Sequence, residues 1–415
     1  MADNRHTHRK ELILNMIHHL GPISRTELIS LTDYRPATVG EIVSELLEQR
    51  LVVETGSQSG GHGRRRILLE LNRKYLCAMG ISFTAGSVHY TVAQPDGAIL
   101  HESQTQIPRG ISRHRLADSI CTHVQQVLTA FTEKKIVGIG ICNPLYDPRS
   151  YQATTSLAAN YNHFNDWIHY GLQPRLETLT SLPVKSFSSV TLPILAEQRF
   201  GVAKGVENFI WIELSNGIGA SICCNGTAVG GARGVAGELG HTVVSQADSA
   251  FCYCGKPGCV ESVCAYPALI GKIRKALDSG VFSVLNTYCA SVDEITVTDI
   301  RKALDAGDRM CIHLVKESAK TLGLAIANAV NLLNPELIVL YGFMLELGDC
   351  FLSTLESAIR ENVISLAEEF EIRLSTSLES ILSLGAVAEL FSDYLQSDNY
   401  KWVYRLRPAD TETEA

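Results

Sequence analysis

Apolar residues recur at helical spacing near the start of the chain. Leu12, Ile13, Met16, Ile17 and Leu20 form one face, and Gly21-Pro22 ends the run. Ser24-Arg25-Thr26-Glu27 has the spacing of a capping box, in which a serine hydroxyl and a glutamate carboxyl satisfy each other's backbone N–H groups. It opens a second helix with Leu28 and Leu31 inward. After the turn Thr32-Asp33-Tyr34-Arg35, Pro36 suits the first position of a third helix, where its missing N–H costs nothing. Val39, Ile42, Val43, Leu46 and Leu47 are the buried stripe of that helix. Leu51–Glu54 and Ile67–Leu71 then read as strands on either side of Gly60-Gly61-His62-Gly63-Arg64-Arg65-Arg66. Three helices and a two-stranded ribbon predict a winged helix-turn-helix domain over residues 1–75.

From Tyr75 the pattern alternates between strands and helices. Leu76–Ile81, Ser87–Ala93, Ile136–Cys142, Phe209–Glu213, Ala220–Cys224 and Leu337–Leu340 read as strands, and Pro95-Asp96-Gly97 as a hairpin turn. His114–Phe131 and Leu322–Leu333 read as helices. Such alternation predicts an α/β body of two lobes with a cleft between them. The first lobe is expected over residues 76–195, completed by a C-terminal helix at about 385–407. The second, over residues 196–384, would carry the oligomerisation surface.

Composition narrows the class. The chain has 415 residues, 46% hydrophobic and 19% charged, which is globular and leaves room for two or three domains. Of 12 cysteines, Cys77, Cys121, Cys142, Cys223 and Cys311 lie in apolar runs and read as core thiols rather than disulfide partners. The polar N-terminus and the lack of a long apolar run predict a cytoplasmic protein without membrane insertion, its thiols reduced. Residues 1–75 carry 11 Lys/Arg against 9 Asp/Glu, and the remainder 25 against 35. A basic module on an acidic body points to double-stranded DNA as a partner of the first segment. In that reading the outer face of the third helix supplies Arg35, Thr38, Gly40, Glu41 and Ser44 to the major groove, and the wing supplies Arg64, Arg65 and Arg66 to phosphates or a narrow minor groove. A palindromic operator would require a homodimer or tetramer.

The densest chemistry lies at Gly240-His241 followed by Cys252-Tyr253-Cys254-Gly255-Lys256-Pro257-Gly258-Cys259-Val260-Glu261. Tetrahedral zinc needs four donors about 2.0–2.3 Å from the metal. His241, Cys252, Cys254 and Cys259 can supply all four, leaving no open position for a water nucleophile, so a Zn2+ here is structural.

Gly231-Ala-Arg-Gly-Val-Ala-Gly-Glu-Leu-Gly-His241 followed by the three cysteines and Glu261 resembles the signature of the ROK family of repressors, open reading frames and kinases. Ala196–Gly205 and Leu333-Asn334-Pro335-Glu336 are similar to that family as well, and so is the N-terminal module, which marks its repressor branch. The resemblance implies an actin-like two-lobe fold, a structural zinc, and a sugar or protein partner controlling DNA binding. It also implies losses. Where ROK kinases carry an Asp and a Gly-Gly-Thr turn for ATP phosphates, this chain has Ser82, Thr84 and Ala85. The late Gly-Gly of the adenosine site is Tyr341-Gly342. The Asn-Asp pair whose Asp takes the sugar proton is Ser188-Ser189, and no carboxylate lies between Leu182 and Leu195. Glu238, His241 and Glu261 match family positions that contact sugar hydroxyls or tie the zinc loop to the pocket, and Asn160 matches a further sugar-facing asparagine.

The expected function is a non-enzymatic, DNA-binding repressor of carbohydrate-metabolism genes, with a sugar or sugar-phosphate effector in the cleft. Two alternatives are a repressor controlled by a sugar-transport phosphotransferase subunit, and an ATP-dependent sugar kinase.

Overall fold

The computed structural model describes residues 2–58, 66–84, 86–108, 110–143, 167–245, 251–289, 295–375 and 380–395. The N-terminal module comprises α1 (Ala2–Leu20), β1 (Ile23–Ser24), α2 (Arg25–Thr32), α3 (Pro36–Glu48), β2 (Val52–Gln58) and β3 (Arg66–Leu71). The capping box forms: the Ser24 hydroxyl accepts from the Glu27 N–H, and the Glu27 carboxyl accepts from the Ser24 N–H. Pro36 opens α3 as the sequence predicts. The ribbon is larger than predicted. Ile23 and Ser24 pair with Leu69 and Leu68, so the sheet has three strands in the order β1-β3-β2. Two residues are too few to show a period, and β1 was therefore missed.

The body contains two five-stranded sheets. The first is built from β4 (Leu76–Thr84), β5 (Ser87–Ala93), β6 (Ile99–Gln106), β7 (Lys135–Asn143) and β8 (Val184–Ser188), in the order β6-β5-β4-β7-β8. Helices α4 (Arg113–Leu128), α5 (Gln173–Thr180) and α6 (Leu192–Arg199) accompany it. The second contains β9 (Phe209–Leu214), β10 (Ile218–Cys224), β11 (Thr227–Ala228), β12 (Leu337–Tyr341) and β13 (Glu371–Leu374), in the order β11-β10-β9-β12-β13. Its helices are α7 (Val260–Cys264), α8 (Tyr266–Asp278), α9 (Leu285–Tyr288), α10 (Val297–Asp305), α11 (Arg309–Leu333) and α12 (Asp349–Asn362). The two sheets repeat one topology. Each begins as a three-stranded antiparallel meander, and two further strands are then added in parallel through helical connections. This repeat is the actin-like pair of lobes.

The last helix, α13 (Ile381–Leu395), lies across β4 and β7 and beside α6. It approaches so closely that a Cβ on Gly80 would sit 2.0 Å from the Ser383 carbonyl oxygen, and only glycine fits there. A bond of 2.7 Å between the hydroxyls of Thr91 and Ser383 fixes the same contact. The C-terminal helix begins at Ile381 rather than near 385, because Ile381 and Leu384 are themselves buried. Its predicted end near 407 lies outside the described residues.

Two other boundaries differ from expectation. The helix predicted over Leu322–Leu333 begins at Arg309, capped by Asp308, which accepts from the Cys311 N–H at 2.9 Å. Met310, Cys311, Val315 and Ala319 extend its buried stripe, and the interleaved charges of Lys316, Glu317 and Lys320 obscured it. Strand β10 begins at Ile218, which pairs with Leu214 to make a tighter hairpin than predicted. Among the described residues, no helix is long and apolar enough to cross a membrane.

Candidate metal centre, effector wall and DNA-reading face

On α3, Val39, Ile42, Val43 and Leu46 are wholly buried, which turns the opposite face outward. Arg35, Glu41 and Ser44 are exposed there, and Thr38 and Gly40 are half-buried. A Cβ added to Gly40 would meet nothing within 4 Å, so packing inside the module does not require glycine at this position. Arg66 is exposed at the start of β3, whereas Arg64 and Arg65 lie outside the described residues. Glu45 ties α3 to α1 by accepting from Lys10 and lying 2.9 Å from His6 Nε2, and these contacts hold its carboxyl below the usual range.

The module does not hang free. Ile13, Met16 and Ile17 share one continuous apolar core with Phe391 and Leu395 of α13 and with Phe209 and Trp211 of the second sheet. Within that seam, the buried Asn15 donates from Nδ2 to the Leu395 carbonyl. His18 has a buried Nδ1 with no partner among the described residues. Burial pushes its pKa from 6.5 down to about 3, helped by His19, Arg73 and Arg199.

The metal-binding candidates converge. One donor atom from each of His241, Cys252, Cys254 and Cys259 lies within 4.8 Å of the others. Cys252 Sγ is 3.5 Å from His241 Nδ1, and Cys254 Sγ is 3.6 Å from Cys259 Sγ. A tetrahedron with zinc–sulfur bonds of about 2.3 Å and zinc–nitrogen bonds of about 2.0 Å places two sulfurs roughly 3.8 Å apart and a sulfur and nitrogen roughly 3.5 Å apart. The observed separations fit that figure. Short backbone bonds fold the loop: Cys252 N–H to Lys256 O at 2.8 Å, Gly255 N–H to Cys252 O at 2.8 Å, and Val260 N–H to Thr242 O at 2.9 Å. Burial first, and then the neighbouring sulfurs, push the Cys252 thiol up to about 12, so a cation held here would supply the charge that makes it a thiolate.

The imidazole of His241 has a second side. Its Nε2 is 3.3 Å from the Tyr253 hydroxyl and 3.7 Å from Glu238 Oε2. Glu261 sits behind these groups and accepts from the Ile218 N–H at 3.0 Å. A Cβ on Gly217 would lie 2.8 Å from the same carboxylate oxygen, so the glycine lets the β9–β10 hairpin close on Glu261. Burial raises the carboxyls of both Glu238 and Glu261. Glu238, His241 and Glu261 are thus neighbours, whereas Asn160 lies outside the described residues.

Two residues here were missed from the sequence. Glu213, at the end of β9, accepts from the Ser215 hydroxyl at 2.7 Å, and burial raises its carboxyl. Its signal was a lone carboxylate inside the otherwise apolar run Phe209–Leu214. Tyr253 was passed over as the spacer of the Cys-x-Cys pair.

At the positions where a kinase would hold nucleotide and base, Ser82 is 1% exposed. The side-chain oxygens of Ser82, Asn143 and Ser189 are buried without partners among the described residues. Tyr341 stacks on Trp211 with ring centres 5.0 Å apart.

An actin-like body bearing a winged helix and a three-cysteine, one-histidine cluster defines a sugar-kinase-like protein adapted to DNA. Residues 78–391 match the sequence model described as ROK family. The chain belongs to the ROK family. It is 30% identical over 395 residues to the xylose repressor of Caldicellulosiruptor bescii, covering 94% of this chain and 97% of that one. It is 26% identical to the DNA-binding transcriptional dual regulator NagC of Escherichia coli (strain K12), covering 91% and 90%. A solved ROK family transcriptional regulator, a homolog of the E. coli MLC protein, shares its fold with a TM-score of 0.75. That alignment covers 96% of this chain and 100% of that one at 24% identity.

Proposed function

We propose that this ROK protein is a transcriptional repressor of carbohydrate-metabolism genes, with a sugar effector in the interlobe cleft acting on the winged module. The observation that carries the reading is the seam. A DNA-reading module that shares its core with α13 of the first lobe and with Phe209 and Trp211 of the second is tied to both lobes, so a ligand that moves them against each other would move the module. A ligand that prefers one lobe arrangement then changes the population of DNA-competent molecules. Relatives named as repressors support the same reading.

Arg35, Thr38, Gly40, Glu41 and Ser44 on α3 are the proposed base and backbone contacts, with Arg64, Arg65 and Arg66 on phosphates. The open space at Gly40 suits close approach of a DNA backbone. Glu41 would accept from a cytosine amino group. His241 through Nδ1, with Cys252, Cys254 and Cys259, would hold a structural Zn2+, the other imidazole nitrogen being oriented by Tyr253 and Glu238. Glu238 and Glu261, with His241 and Asn160, are the proposed sugar contacts, since carboxylates accept from adjacent sugar hydroxyls. Ser189 has no carboxylate partner to make it a base, so we propose no sugar phosphorylation. A palindromic operator calls for a homodimer or tetramer, and access to DNA places the protein in the cytoplasm.

Electrophoretic shift of the chain's own upstream region, with and without D-xylose or N-acetyl-D-glucosamine, tests the reading. Retardation relieved by a sugar is expected. ATP turnover with a sugar acceptor would overturn it, and DNA binding indifferent to every sugar would move control to a protein partner. Replacing Arg64, Arg65 and Arg66 with Ala should flatten the salt dependence by about 0.9 in log–log slope for each arginine that meets a phosphate.

A further inference from the structure

We propose that the groove between α11 and α12 of the second lobe binds a small phosphorylated polyol. Lys316 and Lys320 hold the phosphate monoester, and the opposite wall takes the polyol hydroxyls. None of these residues belongs to the metal cluster or to the proposed effector wall.

The groove has a volume of about 280 Å³. That lies just below the roughly 300–1,000 Å³ of ordinary ligand clefts, so its occupant is a small molecule. It is bounded at Ala358, where α11 and α12 all but touch: a Cβ on Gly323 would lie 2.5 Å from the Ala358 Cβ. Lys316 and Lys320 line one side. Four positions apart on α11, they share a helix face, and like charges so placed repel each other. No carboxylate pairs with either lysine among the described residues. Glu317 is committed to Lys272 at 3.0 Å and Glu356 to Arg360 at 2.9 Å. An anion between the two ammonium groups supplies the charge that the chain does not.

The wall on α12 has the opposite character. Ser353 donates to the Asp349 carbonyl, Thr354 to the Cys350 carbonyl at 2.8 Å, and Ser357 to the Glu361 carboxylate at 2.7 Å. Each hydroxyl has thereby used its only proton, so this wall offers an incoming ligand lone pairs alone. Inorganic phosphate satisfies the lysines but sets its own oxygens against those lone pairs. A neutral sugar donates to the α12 wall and leaves the lysines unmatched. A sugar phosphate does both. A monoester carries about −1.5 to −2 charges at pH 7 and so matches two ammonium groups. The single charge of a phosphodiester leaves one of them unmatched, which sets nucleic acid and phospholipid aside.

The test is calorimetric titration of the full chain with D-glucose 6-phosphate, D-glucose and inorganic phosphate. The ester should bind about tenfold more tightly than either fragment, because it alone engages both walls. Lys316→Ala/Lys320→Ala should weaken it about tenfold or more, while Lys316→Arg/Lys320→Arg retains it. Both substitutions are at exposed positions, and an unchanged urea midpoint confirms an intact fold. Glu238→Gln should leave the titration as it was. No heat from D-glucose 6-phosphate overturns the site, and so does native affinity in the alanine variant. Inorganic phosphate binding as tightly as the ester overturns it as well, by removing any role for the α12 wall. Binding that survives the alanine variant and is lost in Glu238→Gln puts the ester in the interlobe cleft, which overturns the groove and leaves the effector reading standing.

Discussion

The seam under the winged module and the loop around His241 both join separate parts of the chain, by opposite means. At the seam, Ile13, Met16, Ile17 and Phe391 are at most 1% exposed, and Asn15 makes one polar bond across it. In the loop, Phe251, Tyr253, Lys256 and Pro257 are exposed and little apolar surface is covered. What the loop offers instead is four candidate metal donors within 4.8 Å of one another and a few backbone bonds. The first joint is held by water exclusion, which is non-directional and always present. The second, on the proposed reading, would depend on a cation that can be withdrawn. On that reading, withdrawing the cation would loosen the loop while the winged module stays seated, and the reverse failure needs a different insult.

The largest separation between the two should come from the metal. Apparent binding energies of about 10–16 kcal/mol are typical of structural zinc, and little else holds the loop. Cys259→Ala, or prolonged chelation, should abolish zinc content by atomic absorption and expose the loop to proteolysis. The far-UV signal of the winged module should persist. A zinc-free variant that still responds normally to sugar would undo the contrast.

Next in size is the seam. Phe391→Ala removes a ring that is 1% exposed and should cost about 3–5 kcal/mol, read by urea denaturation. Operator binding should fall with it while zinc content is unaffected. Acid attacks the seam more gently. His18 takes up a proton near pH 6.5 when unfolded but only near 3 when folded, so the folded state is disfavoured as pH falls between those values. Stability is fully present above 6.5 and should decline by about 1.4 kcal/mol per unit below it from this residue alone. A His18→Gln variant should flatten that slope; an unchanged slope would remove His18 from the account. The smallest effect is local. Ser24→Ala deletes one half of the capping box and should cost about 1 kcal/mol, with neither joint disturbed.

The same contrast explains what could be read in advance. The helices of the module announced themselves through Ile13, Met16, Ile17, Val39, Ile42 and Val43, because burial imposes a period. Pro36 and Ser24 announced their starts because caps need particular atoms. His241 and the three cysteines were visible because metal ligands are few in type. What escaped had neither period nor rare chemistry. Strand β1 is two residues long, and the first half of α11 alternates charges with its buried side chains. Glu213 and Tyr253 acquire meaning only from what folding sets beside them: the Ser215 hydroxyl for the first, and the His241 imidazole for the second.

The bond from Asn15 to Leu395 spans 380 positions of the chain. At ribosomal speeds of about 5–20 residues per second, the winged module emerges some 20–75 s before the helix that seats it. For that interval a nascent chain carries a winged module whose seat against α13 has not yet been made. A chain interrupted before Ile381 would remain in that state, with the face of β4 that carries Gly80 uncovered and its first lobe open to aggregation. Premature termination should therefore yield degraded protein rather than an unregulated repressor, a safeguard that follows from placing the seat so late in the chain.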